Sequence, residues 1–210
     1  RINRAEIGCL INASVCRDFL EPATAALVHH NLDLHNNAIV FDISNACLGV
    51  LNGMVHIANM IELGQIRAGL IVAGESGGPL VDATIKSMLG KSDLTRNEIK
   101  SSFASLTIAS AAVGVLLVHK DLSSNKHRLL GGYGQTASQF NKLCRGNDES
   151  KEGVDNWSPL MKTDAETMMR EGCRLAGQTW AFTKKILGWG DNDVNHVFCH
   201  QVGHAHRKLL

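Results

Sequence analysis

Apolar positions along the chain form short continuous runs, and stretches with helical spacing separate the first three of them. The runs have the length of buried strands and lie at residues 7–14, 38–45, 68–74 and 112–118. Helical spacing follows at residues 22–30, where Pro22 stands early, and from Val50 to a stop at Gly64. Strand and helix alternate in the order β, α, β, α, β, so the pattern predicts an α/β fold whose parallel strands are covered on both faces.

The second part of the chain follows a charged bend at residues 120–128. Its pattern predicts a strand at residues 129–134, a polar loop at 141–158, a long helix at 163–188 and a strand at 194–201. His200 then stands at the carboxyl end of the last strand.

Cys47 occupies the junction between the second apolar run and the helical stretch that follows it. We expect Cys47 in the first turn of the helix, with Ser44 or Asn45 as the N-cap, where free N–H groups and the helix dipole favour a thiolate. Residues between the apolar positions of this helix are mostly small or uncharged, which predicts a helix enclosed on nearly all sides. The alternative is that Cys47 is a small buried hydrophobic residue.

Composition narrows the class of protein. The chain has 210 residues, 44% hydrophobic and 20% charged, with a net charge of +1 and no basic block, so nucleic acid is not an expected partner. Six cysteines without CxxC spacing argue against a zinc ribbon or a disulfide framework, and predict reduced thiols and a cytoplasmic location. No run reaches the roughly 18 apolar residues of a membrane span. A small-molecule substrate is expected.

Histidines cluster near the end of the sequence, together with Cys199. His200 and His204 have a spacing that could ligate a metal on a helix, but the pattern through His200 indicates a strand and no acidic ligand accompanies them. We therefore predict no metal site. At a strand's carboxyl end, an imidazole can instead donate to an oxyanion.

Ser76 lies in the sequence Gly-Glu-Ser-Gly-Gly-Pro, which fits the G-x-S-x-G pattern of hydrolases after a strand. A chymotrypsin-like protease would require an all-β pattern and an upstream histidine motif, and neither is present. Ser76 as a nucleophile remains a weaker alternative to Cys47.

Four motifs together resemble one family. Residues 42–49 (DISNACLG) and 199–202 (CHQV) resemble the condensing enzymes of the thiolase superfamily, in the β-ketoacyl-ACP synthase III group. Residues 16–24 (CRDFLEPAT) and 141–147 (NKLCRGN) are most similar to the acyl-CoA head-to-head condensing thiolases of bacterial long-chain olefin synthesis. The resemblance extends over essentially the whole chain.

The resemblance implies a thiolase-like αβαβα layered fold made of two similar halves, here 1–122 without its first strands and 126–210 truncated. It further implies Cys47 as the acyl-accepting nucleophile, His200 as its oxyanion partner, and a homodimer formed through the strand at residues 38–45. Family members extend further at both ends, and their catalytic asparagine would lie beyond Leu210, so we expect the chain to be a fragment. The substrates would be CoA or acyl-carrier-protein thioesters, without a cofactor.

Glu21 decides between two condensing reactions. Two ordinary acyl-CoA molecules require a base that removes an α-proton, and Glu21 stands where the olefin-pathway enzymes carry theirs. A decarboxylative 3-oxoacyl-ACP synthase III, which uses malonyl-ACP, needs no such base. The structural alternative is that Glu21, beside Pro22, complements a helix N-terminus. Two other function classes stay open: a non-catalytic fragment or scaffold, and a hydrolase that uses Ser76 or a metal.

Overall fold

The computed structural model describes residues 2–17, 19, 21–125, 127–146, 160–200 and 202–209. The chain divides into two compact units. Unit 1 consists of Arg1–Ser76 and Ala109–Leu129, and unit 2 consists of Gly77–Ile108 and Leu130–Leu210. No helix in the described ranges is both long and apolar enough to cross a membrane.

Unit 1 contains a four-stranded sheet. Its strands are β1 (Ile7–Asn12), β2 (Ile39–Asp42), β3 (Ala68–Glu75) and β4 (Ala111–Val118), in the spatial order β2-β1-β3-β4. Strand β1 pairs in parallel with β2 and with β3, which confirms the predicted parallel arrangement. Strand β4 runs antiparallel to β3, from the pair Glu75 and Ala111 to the pair Ala68 and Val118.

Two helices of unit 1, α1 (Thr24–Asn31) and α2 (Gly49–Glu62), belong to two separate core clusters of this sheet. Cys9 and Ile11 of β1 pack in the cluster that contains Ile57 of α2, whereas Leu10 packs with Ala25 of α1. This alternation is the period of a strand that is buried on both faces. The ladder to β3 is irregular at the start of β1, between Ile7 and Cys9.

Helix α2 buries one stripe, so the prediction that it is enclosed on nearly all sides is wrong. Gly49, Gly53, Ile57 and Ile61, spaced four residues apart, are its buried residues. Leu51 and Val55 are 57% and 51% exposed. The small residues serve close packing on one side: a Cβ on Gly53 would lie 2.9 Å from Cγ2 of Ile71 in β3. The helix backbone can therefore approach the sheet closely.

Unit 2 contains four helices and a two-stranded sheet among its described residues. The elements are α3 (Gly78–Leu89), α4 (Arg96–Ser102), β5 (Cys144–Gly146), β6 (Met161–Thr163), α5 (Ala165–Leu187) and α6 (His204–Leu209). Helix α5 confirms the predicted long helix. The Asp164 side chain accepts from the Thr167 N–H at 3.1 Å, and Gly188 ends the helix with a φ of +67°.

Two predicted strands of this unit are wrong. The predicted strand at 129–134 and the described part of the strand at 194–201 have no regular structure, and Gln201 lies outside the described residues. An apolar run becomes a strand only where a neighbour pairs with its backbone. In the described parts of the chain, neither segment has such a neighbour. The predicted loop at 141–158 contains β5, and residues 147–159 lie outside the described ranges.

Candidate active site

Strands β1, β2 and β3 are parallel neighbours, so their carboxyl ends meet at one edge of the sheet in unit 1. The segment that leaves β1 contains Glu21, and the segment that leaves β2 contains Cys47. In open α/β sheets this edge is where ligands bind. The fold therefore gathers two of the three predicted site residues at one edge.

Cys47 lies in a 3-10 turn, Ala46–Leu48, directly before α2 rather than inside the first turn of that helix. The predicted cap is also wrong, because the Asn45 side chain makes no capping hydrogen bond. The Asn45 amide instead donates to Oδ1 of Asn52 at 2.5 Å. The Cys47 residue is exposed, so the interpretation of Cys47 as a buried hydrophobic residue does not hold.

The backbone immediately before Cys47 is strained. Ala46 has a φ of +43°, in the left-handed region that costs a residue with a Cβ about 1 kcal/mol or more. Such conformations persist where the surrounding structure enforces them, and they cluster at functional sites. Here the turn passes from the end of β2 into α2 within a few residues and leaves the thiol at the surface.

Gly49 holds this turn against the sheet. A Cβ at position 49 would lie 2.8 Å from the backbone oxygen of Ala13, which directly follows β1. Only glycine allows so close an approach between the start of α2 and the end of β1. The turn that carries Cys47 is thereby fixed beside the segment that leads to Glu21.

Asp42, the last residue of β2, binds the N-terminus of α1. Its Oδ2 accepts from the Thr24 N–H at 3.0 Å and its Oδ1 accepts from the Ala25 N–H at 2.9 Å. Its side chain is 8% exposed, and Nε of Arg17 lies 3.8 Å from Oδ2. A carboxylate on the free N–H groups of a helix start satisfies them and complements the helix dipole.

Glu21 is exposed and lies three residues before Thr24. In the structural alternative, the Glu21 carboxylate would complement the N-terminus of α1. The carboxylate that hydrogen-bonds to the helix start is Asp42. Helix capping is thus already supplied by another residue, which weakens the structural explanation for Glu21.

Glu75, the last residue of β3, binds the start of the segment that leads from β1 to Glu21. Its Oε1 accepts from the Val15 N–H at 2.6 Å and its Oε2 accepts from the Cys16 N–H at 3.0 Å. The pKa of the Cys16 thiol is raised, mainly because the thiol is partly buried and secondly because it hydrogen-bonds to Glu75. Sequence reasoning missed both Glu75 and Asp42. The available signal was a carboxylate at the last position of an apolar strand.

The remaining cysteines differ from Cys47 in environment or position. All six cysteines are free in the structure. Cys9 is fully buried in β1, and its burial raises the pKa of the thiol to about 11. Cys9 therefore fits the description of a small buried hydrophobic residue.

His200 belongs to unit 2 and is exposed. Its ring centroid lies 6.2 Å from that of His206, and His204 is the first residue of α6. The described ranges contain no group of three or more His, Cys, Asp or Glu residues that could hold a metal ion. The role of His200 stays a prediction.

Comparisons with known proteins relate the chain to condensing enzymes. A family model for 3-oxoacyl-(acyl-carrier-protein) synthase III matches residues 41–91. An acyl-CoA:acyl-CoA alkyltransferase of Shewanella oneidensis is 42% identical over 212 residues, covering 100% of this chain and 60% of the relative. A β-ketoacyl-(acyl-carrier-protein) synthase III of Novosphingobium aromaticivorans is 26% identical over 178 residues, covering 79% of this chain and 52% of the relative.

Solved structures give the same relationship. A cysteine-to-serine variant of Xanthomonas campestris OleA, with bound lauric acid and lauroyl-CoA, superposes with a TM-score of 0.87 and 35% identity, covering 99% of this chain and 58% of that one. Structures of the same protein exist with one glutamate or one histidine substituted. The chain thus spans somewhat more than half the length of the relatives that it matches.

Proposed function

We propose that this protein, which belongs to the β-ketoacyl-ACP synthase III group of thiolase-superfamily condensing enzymes and has a thiolase-like α/β fold, joins two fatty acyl thioesters head to head. The reaction is a Claisen condensation that passes through an acyl-Cys47 intermediate and gives a β-keto product. The protein would thus be an acyltransferase.

The observation that carries this proposal is that Asp42, and not Glu21, is the carboxylate bound to the start of α1. Asp42 accepts the hydrogen bonds at the start of α1, so Glu21 is not required for that purpose. A second observation supports Glu21 as the base of the condensation step. In Xanthomonas campestris OleA, the substituted glutamate precedes the substituted cysteine by the same number of residues that separates Glu21 from Cys47.

In the first step, the Cys47 thiolate attacks the carbonyl carbon of an acyl thioester. The oxygen of the resulting tetrahedral intermediate carries negative charge, which backbone N–H groups near the start of α2 would stabilise. The intermediate collapses as the carbon–sulfur bond to CoA breaks. CoA leaves as a thiolate, and the acyl group remains on Cys47.

In the second step, the Glu21 carboxylate removes an α-proton from a second acyl thioester. The enolate oxygen would accept a hydrogen bond from His200, and the enolate carbon attacks the carbonyl of acyl-Cys47. The carbon–sulfur bond to Cys47 breaks as the new carbon–carbon bond forms. Cys47 is released as a thiolate, and the product is a β-keto thioester.

The predicted homodimer belongs to the same proposal. Strand β2 is at the edge of the described sheet, next to β1 alone, and its first residue, Ile39, is 51% exposed. An apolar strand edge of this kind can pair with a second chain. The dimer would therefore use the strand at residues 38–45. Cytoplasmic location and the absence of a cofactor stay predictions.

The test supplies lauroyl-CoA to the full-length protein as the only thioester. We expect a β-keto thioester and the release of one CoA for each product molecule, from the substrate that acylates Cys47, without any malonyl thioester. Product that forms only after malonyl-ACP is added would favour the decarboxylative reaction instead. CoA release without a condensed product would indicate a hydrolase, and no turnover under either condition would favour a scaffold.

A further inference from the structure

Glu75 binds the start of the segment between β1 and α1, and Asp42 binds the first two residues of α1, directly after that segment ends. Each carboxylate is the last residue of a strand, and the two strands, β2 and β3, flank β1 on opposite sides. Each uses both oxygens to accept two consecutive backbone N–H groups. The segment that leaves β1 is therefore held from both neighbouring strands.

Glu21 lies on this segment, between the two anchored ends. Glu75 binds the segment at Val15 and Cys16, directly after β1. Asp42 binds the first two residues of α1, Thr24 and Ala25, a few residues after Glu21. The hydroxyl of Ser14 adds a link near the first end, because it accepts from the Gly74 N–H at 2.9 Å.

We propose that Asp42 and Glu75 are positioning residues, which fix the backbone around Glu21 so that its carboxylate can remove the α-proton. This inference rests on the proposed function. A general base must lie within hydrogen-bonding distance of the proton that it removes, and a displacement of about 1 Å can lower a rate on the order of 10²-fold.

Asp42 connects the two reacting groups most directly. It ends the strand that leads to Cys47 and holds the helix that follows Glu21. Asp42→Asn would place an NH₂ donor against a backbone N–H donor, so one of the two hydrogen bonds is lost. Acylation of Cys47 does not use Glu21, so the substitution should affect the condensation step selectively.

The test is a double-mutant cycle in the full-length protein with lauroyl-CoA. Asp42→Asn should lower the condensation rate by about 10-fold or more, while the burst of CoA that reports acylation stays within about twofold. In a Glu21→Gln background, Asp42→Asn should cause no further loss, because no base remains to be positioned. Asp33→Asn makes the same chemical change just after the other end of α1 and should leave both rates unchanged.

Two results would overturn the positioning role. One is a loss from Asp42→Asn that multiplies with the loss from Glu21→Gln, and the other is an equal fall in burst and condensation. If Asp42→Asn does not fold, Glu75→Gln releases the opposite end of the segment and is judged by the same two criteria. Unchanged condensation in Glu21→Gln alone would refute the proposed function and not merely the positioning role.

Discussion

The sheet edge of unit 1 and the segment before α6 in unit 2 share a sequence pattern but differ in structure. Each has an apolar run that leads to a predicted catalytic residue, Cys47 in one and His200 in the other. The first run forms β2, paired in parallel with β1 from Ile39 to Asp42. Residues 194–200 form no regular structure and, apart from the half-buried Val194, are exposed.

Strand neighbours account for this difference. At the edge of unit 1, three parallel strands end together, and the carboxylates of Asp42 and Glu75 find backbone N–H groups on the adjacent segment. In the described part of unit 2, the sheet has only two short strands, β5 and β6. A local pattern can therefore indicate a candidate residue, but only paired neighbours fix its surroundings.

The largest effect is expected from removing the thiol at the ordered edge. Cys47→Ala in the full-length protein should abolish acyl-enzyme formation, because the substitution removes the sulfur that forms the thioester with the acyl group. Mass spectrometry of peptides from protein incubated with lauroyl-CoA would locate the adduct. An adduct on Cys144 or Cys199 in the unsubstituted protein would contradict the assignment and move the reacting centre into unit 2.

A smaller effect, with opposite sign in the two regions, is expected from substituting glycine by alanine. Gly49→Ala should destabilise the protein by roughly 1–3 kcal/mol, because the added methyl group meets the backbone oxygen of Ala13 at 2.8 Å. Gly172→Ala in α5 should stabilise it by roughly 0.5–1 kcal/mol, because nothing lies within 4 Å and alanine favours the helix.

Thermal unfolding of the two glycine variants measures this contrast. The midpoint should fall for Gly49→Ala and rise for Gly172→Ala. A rise in both variants would show that α2 does not pack closely against the end of β1. The comparison between a tightly packed helix in unit 1 and an open helix in unit 2 would then fail.

Much of the fold was predictable from local patterns. The elements of unit 1 and the long helix α5 were predicted to within a few residues, because their apolar spacing and caps are local. Strands were wrongly predicted at 129–134 and 194–201, because pairing depends on residues far away in the sequence. The enclosure of α2 was overestimated, because small residues allow a helix to pack closely but do not indicate how many of its sides are covered.

The candidate site was predictable only in part. Cys47 and Glu21 could be selected from a strand junction and from the family resemblance. The backbone partners of Asp42 and Glu75 could not be predicted, because these hydrogen bonds join residues 17–18 and 59–60 positions apart in sequence. The left-handed backbone at Ala46 was also invisible, since nothing in an alanine indicates a positive φ.

The decisive experiment measures acylation and condensation separately in the Glu21→Gln variant, because only condensation should require Glu21 as a base. The amide keeps the size of the side chain and removes the proton acceptor. With lauroyl-CoA, the full-length variant should show a normal burst of CoA and a fall in β-keto product on the order of 10²-fold or more. Unchanged product, both from lauroyl-CoA alone and with malonyl-ACP added, would contradict the account.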